Sequence, residues 1–167
     1  MSDAPGSARG SRFPGDSSSN VVDEELFRFL VRLEVNKASR LQYTVSVVCV
    51  APSEVGEEVD PAFASRAAEI LSHHFRTTDA FTARPPASIW LLLVNAETRD
   101  LPDIFLRVTA ELDALAMTPD PRRPITWGAG GSCYPRTAAS ETELLGQATE
   151  LTSRARGRRA NTLLLPA

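Results

Sequence analysis

A chain of 167 residues is the size of one ordinary domain and is long enough to bury a real core. Hydrophobic residues make up 43% and charged residues 23%, as in a globular protein, and a net charge of −3 excludes a strongly basic nucleic-acid binder. The longest apolar runs, VSVVCV and IWLLLV, are strand-sized, so no membrane span is expected; the N-terminus shows no apolar leader, and the expected location is the cytoplasm.

Residues 1–20, MSDAPGSARGSRFPGDSSSN, are rich in Ser, Gly and Pro. Such a segment cannot bury enough surface to offset its ordering entropy, which predicts a disordered tail followed by one folded domain over 21–167. Leu26, Leu30, Leu33 and Lys37 follow helical spacing, as do Phe27 and Val31, with Asp23 or Asn20 available as the cap. YTVSVVCVA (43–51) is β-branched and almost continuously apolar, the pattern of a central strand buried on both faces. After the polar loop PSEVGEEV, Asp60 and Pro61 open a second helix lined by Ala64, Ala68, Leu71 and Phe75.

TDAFTAR and SIWLLLV, separated by Pro85 and Pro86, read as a hairpin. A third helix places Phe105, Val108, Leu112 and Leu115 on one face and ends before TPDPRRP. ITWGAGGSCYP (125–135) reads as a strand whose glycines imply close backbone approach or a bulge. Ser140 and Glu143 form a capping box for a fourth helix, which Gly157 stops, and NTLLLP supplies the last strand. The order α-β-α-β-β-α-β-α-β implies an α+β fold, a ferredoxin-like, nucleotide-cyclase-type mixed sheet flanked by helices.

Chemistry-bearing residues are sparse. Cys49 and Cys133 sit inside apolar segments without metal-ligand spacing, which predicts two reduced core thiols and no zinc site. Glu54, Glu57, Glu58 and Asp60 crowd one loop but match no coordination spacing. His73 and His74 adjoin, so on a helix they point apart and cannot share a metal. No serine lies in a G-x-S-x-G setting.

Several segments resemble the GGDEF (diguanylate cyclase) family in register. EVNKASRLQYTVSVVCV (34–50) is similar to the family's E-x-x-R-A-x-R helix end and first strand. RTTDAFTAR (76–84) resembles the R-x-x-D approach to the signature turn. ITWGAGGSCYP resembles V-T-V-S-I-G-V-A-x-Y-P, and ELLGQATELTSRARGR (143–158) resembles the helix that follows.

The resemblance implies a two-metal phosphoryl-transfer site, and at its positions the required groups are missing. Ala51 falls where a metal carboxylate ends the first strand. Pro85, Pro86, Ala87, Ser88 and Ile89 fall on the signature turn, where proline cannot supply its flexible glycines and Ala87 and Ser88 replace both acids. The sequence therefore predicts a degenerate domain with no enzyme activity and no cofactor. Its expected role is regulatory binding in bacterial cyclic di-GMP signalling, with a protein partner and neither nucleic acid nor membrane. A divergent nucleotide-processing enzyme using an unrecognised acid set is the alternative.

Three features remain for binding. Arg76 and Asp79 occupy the family's inhibitory R-x-x-D site, which implies that cyclic di-GMP is gripped by the guanidinium and guanine N–H groups by the carboxylate. The other reading is that Arg76 answers a helix dipole and Asp79 satisfies backbone donors. Arg156 falls on the family's phosphate-approaching lysine, or else caps the last helix turn. Trp90, if exposed beside the Pro–Pro turn, would anchor a protein interface.

Overall fold

The computed structural model describes residues 19–53, 62–85, 87–116 and 125–167. The expected tail up to Ser18, the acidic stretch from Glu54 to Asp60, Pro61, Pro86 and TPDPRRP fall outside the described residues.

In chain order the elements are α1 (Glu24–Leu41), β1 (Val45–Pro52), α2 (Phe63–Ser72), β2 (Ala80–Arg84) and β3 (Ser88–Val94). A 3₁₀ turn (Thr98–Asp100) then leads into α3 (Leu101–Leu115), β4 (Trp127–Tyr134), α4 (Glu141–Ala155) and β5 (Thr162–Leu164). The strands form one sheet in the order β2-β3-β1-β4-β5. β1 is antiparallel to both β3 and β4, while β5 runs parallel to β4, so the sheet is mixed as expected.

Helices cover both faces, which is why β1 is buried at every position and reads as an unbroken apolar run. On one face Val48, Val50, Leu91 and Leu93 pack with Ala64, Leu71, Phe105 and Leu112 from α2 and α3. On the other, Val45, Val47, Trp90 and Leu92 pack with Phe27, Val31 and Leu144 from α1 and α4.

The buried stripe of α1 differs from one sequence expectation. Phe27, Val31, Val35 and Ala38 face the sheet, whereas Leu26 and Leu33 point to solvent. Both series have helical spacing. The Phe27 series wins because its ring meets the edge of Trp90 at 5.8 Å, a favourable quadrupole geometry. Asp23 caps the helix by accepting from the Leu26 N–H at 2.8 Å, and Gln42 ends it in a left-handed conformation, φ 58°.

Residues just before α1 brace the free edge of β2. The Phe81 N–H donates to the Asn20 carbonyl at 2.9 Å, and the Val22 N–H donates to the Phe81 carbonyl at 2.8 Å. Two residues assigned by sequence to the tail, Ser19 and Asn20, thus contact the domain; the Ser19 hydroxyl donates to Glu69 at 2.7 Å. This single bridge satisfies the Phe81 N–H and carbonyl at an edge whose open backbone groups could otherwise pair with another chain.

At the start of α4 the Ser140 hydroxyl accepts from the Glu143 N–H at 3.2 Å. The Glu143 carboxylate accepts from the N–H of Ala139 rather than that of Ser140, so the capping box is offset by one residue. The glycines of β4 mark a close approach. A Cβ on Gly130 would collide with the Ala148 carbonyl and the Thr152 nitrogen of α4, and one on Gly128 would lie 2.8 Å from the Arg156 nitrogen. The glycines let α4 settle directly on the strand, where the Thr152 hydroxyl donates to the Cys49 carbonyl at 3.1 Å.

Candidate functional site

Register divides the candidate residues between the two ends of the sheet. Ile89 pairs with Val50 and Ala51 with Gly128, so the Pro85 turn and the end of β1 lie at one end. Val94, which pairs with Val45, marks the other end. Six residues of extended β1 between them span roughly 20 Å.

At the first end, Ala51 is buried and presents only a methyl group. The Nε of Arg156 donates to the adjoining Pro52 carbonyl at 3.0 Å. Ser53 is tied on both sides: its N–H donates to the Thr126 carbonyl at 2.7 Å, and its carbonyl accepts from Gly157 at 3.2 Å. Arg84 and Ser88 close the hairpin opposite one another, leaving Pro85 exposed, Ala87 buried and Ile89 buried. These residues do not fit a magnesium-held triphosphate. A methyl stands at the carboxylate position, a guanidinium holds the strand end, and like charge there opposes a divalent cation. The Arg156 side chain, read from sequence as a phosphate contact or a cap of the last helix turn, is thus engaged with the end of β1.

Trp90 is not an exposed anchor. It is 2% exposed, sits against Phe27, and is roofed by the guanidinium groups of Arg84 at 4.5 Å and Arg28 at 5.5 Å from its ring centroid. Arg84 also bridges to Glu24 at 3.2 Å. The tryptophan follows the inward alternation of β3, and the two cations seal its remaining edge. Trp127 is buried as well, stacked on Phe63 and donating its Nε1–H to Asp113 at 2.9 Å.

The second end carries the Arg76–Asp79 turn. Asp79 is 5% exposed, and its two carboxylate oxygens accept separately, Oδ2 from the Arg76 N–H at 3.2 Å and Oδ1 from the Val94 N–H at 3.0 Å. Its own N–H donates to the Arg76 carbonyl at 3.0 Å, and Asn20 donates its Nδ2–H to the same carbonyl at 3.2 Å. Burial raises the Asp79 pKa, although both N–H donors and the Arg76 charge pull the other way. The carboxylate therefore closes the turn that carries Arg76, the backbone-satisfying role weighed from sequence. Arg76 itself is exposed.

Beside this turn lies a cleft of about 540 Å³. Arg76 and His74 line it from the α2–β2 connection, Asn95 from the end of β3, and Asp100, Asp103 and Arg107 from the 3₁₀ turn and α3. Arg107 was not singled out in the sequence. Its NH2 donates to the His74 carbonyl at 3.0 Å and its guanidinium lies 5.0 Å from the Phe75 ring centroid, which ties it to the α2–β2 connection that also carries Arg76. Nothing in its local pattern marks it, because the polar face of α3 carries no sign of which element it will meet. Neither arginine forms an ion pair among the described residues.

His73 and His74 diverge as expected, toward Glu69 at 3.8 Å and Glu111 at 3.7 Å. Among the described residues no cluster of metal-ligating side chains forms, and no helix is long and apolar enough to cross a membrane. Both cysteines are free and buried, and burial pushes the Cys49 thiol up to about 11. Neutral, enclosed thiols attack poorly. A disulfide-exchange reagent is expected to label neither cysteine in the native protein and both in denaturant; rapid native labelling would contradict this.

The sequence matches no protein-family model and none of the curated proteins. Solved structures do match. The GGDEF domain of YfiN (TpbB) from Pseudomonas aeruginosa superposes with a TM-score of 0.68 at 14% identity, covering 87% of this chain and 96% of that one. The GGDEF domain of DgcB from Caulobacter crescentus, a complex with c-di-GMP, gives 0.68 at 12% identity over 96% of this chain and 98% of its own. The FimX GGDEF domain from Pseudomonas aeruginosa gives 0.66 at 11% identity, covering 90% and 98%. The helix-covered mixed sheet described above is shared with them, and the chain therefore has the fold of a GGDEF domain.

Proposed function

We propose that this chain is a GGDEF-fold regulatory domain that has lost cyclase chemistry and works by binding. It takes a cyclic di-GMP-type dinucleotide at the cleft beside Arg76 and signals the occupied state to a protein partner in the cytoplasm. The observation that carries this reading is that two arginines, Arg76 and Arg107, line one cleft with no ion-pair partner among the described residues.

The chemistry is complementary. Two arginines match the two phosphodiesters of a cyclic dinucleotide, and Asp100 and Asp103 offer acceptors to guanine N–H edges. The cleft volume lies in the range that holds small-molecule ligands. Asp79 acts as a positioning residue, fixing the turn from which Arg76 projects. The c-di-GMP held by the GGDEF domain of DgcB supports the ligand class. Loss of catalysis is supported by Ala51 and by the Arg156 guanidinium on the Pro52 carbonyl.

Calorimetric titration of the full chain with cyclic di-GMP tests the proposal. Binding is expected, with Arg76→Ala and Arg107→Ala each weakening it roughly tenfold or more while the fold is retained, as loss of a charge-assisted hydrogen bond requires. Absence of binding, or binding indifferent to Arg76→Ala, contradicts it.

A further inference from the structure

Helix α1 carries a second apolar stripe that the domain does not use. Leu26, Phe29 and Leu33 are 42%, 48% and 40% exposed. At 100° per residue they project almost directly away from the buried Phe27, Val31, Val35 and Ala38 face. Three large apolar side chains in one row on an otherwise charged helix form a contiguous patch, which marks an interaction surface more strongly than scattered singles would.

The charges beside the stripe indicate the occupant. Within α1, Glu24 pairs with Arg28 at 3.2 Å and Glu34 with Lys37 at 2.7 Å, while Arg40 in the last turn forms no ion pair among the described residues. Glu25 and Arg32 form no ion pair among the described residues; Arg32 only lies over the Phe29 ring at 5.7 Å. Both flank the stripe on the same side, on either side of Phe29 in sequence.

We infer that this stripe is a self-association surface on which α1 of a second copy packs antiparallel about a two-fold axis beside Phe29. That axis makes the patch self-complementary, as an isologous contact requires. Each Phe29 meets its counterpart, each Leu26 inserts between Phe29 and Leu33 of the second copy, and Glu25 of each copy faces Arg32 of the other. A parallel pairing is disfavoured, because a flanking residue then meets the one five positions further on, which sets Arg32 against Lys37 of the second copy. One helix face per copy makes a small interface, so the dimer is weak and concentration-dependent.

Sedimentation velocity over a concentration series tests the inference. The wild-type chain is expected to pass from monomer to dimer. Glu25→Arg and Arg32→Glu each weaken the dimer, roughly tenfold, since either reversal turns two ion pairs into two repulsions. The double variant regains wild-type affinity. Phe29→Glu, at an exposed position, abolishes the dimer while circular dichroism and Tm stay unchanged. A chain that remains monomeric at its highest soluble concentration, as it would if its own residues 1–18 or an unrelated partner covered the stripe, overturns the inference. So does a dimer insensitive to charge reversal, and so does one tightened by Arg32→Glu, the mark of parallel pairing. None of these readouts depends on the Arg76 cleft.

Discussion

Replacing Asp79 by alanine is expected to destabilise the domain by about 3 kcal/mol, because two backbone N–H groups lose their acceptor at a buried position. The donors are Arg76 and Val94, which join the α2–β2 turn to the end of β3, so the loss also frees Arg76. Denaturant unfolding should show the lower midpoint with an unchanged slope. Cyclic di-GMP affinity should fall even though Asp79 faces the backbone; unchanged affinity and stability would separate Asp79 from the site. Asp79→Asn carries a signed pH test. Burial raises the folded pKa of Asp79 above its ordinary 3.8, so the protonation-linked part of its contribution is complete below 3.8 and is lost as pH rises through the folded value, while the two hydrogen bonds remain. The stability of wild type relative to Asp79→Asn must therefore decline across that window. A difference that grows with pH would mean that the two N–H donors, not burial, set the ionisation.

The second large effect is expected at Gly130. An added methyl meets the main chain of α4 at Ala148 and Thr152, and neither can yield as a flexible side chain would. Gly130→Ala is expected to cost about 3 kcal/mol through overpacking, a fall in Tm of roughly 10 °C. Gly146→Ala is the control, since an added Cβ there meets nothing within 4 Å and the site lies within α4. That change should be neutral or mildly stabilising, because glycine is a poor helix residue. Equal tolerance at both positions would show that α4 does not rest on the strand as described.

How much of this was legible in sequence depends on whether a local pattern had one physical reading. β1 and β3 did, because strands buried on both faces leave continuous apolar runs. The glycines of β4 also did, since glycine weakens a strand unless something must come close. α1 carries two helical stripes, and only the position of Trp90 against Phe27 decides which turns inward. For the same reason Trp90 read as a conditional surface anchor although Arg84 and Arg28 cover it. The Arg76–Asp79 spacing was visible, but not the division of labour in which the buried carboxylate holds the turn while the exposed Arg76 lines the cleft. Arg107 was invisible because α3 reaches that cleft only through the tertiary fold.

The charge at the end of β1 bears on the proposed loss of cyclase chemistry. Ala51→Asp restores one carboxylate but leaves the Arg156 guanidinium on the Pro52 carbonyl, so the new acid would pair with arginine rather than hold a metal. Ala87 and Ser88 supply no second acid across the hairpin.

The most direct test of the claim that this domain binds without catalysing is a turnover assay. The 167-residue chain is incubated with GTP and Mg²⁺ or Mn²⁺, and the nucleotides are separated by chromatography. The account predicts no cyclic dinucleotide above the protein-free control, for the wild type and for Ala51→Asp alike. Product formed by the wild-type chain would contradict it and would point to a divergent enzyme with an acid set of its own.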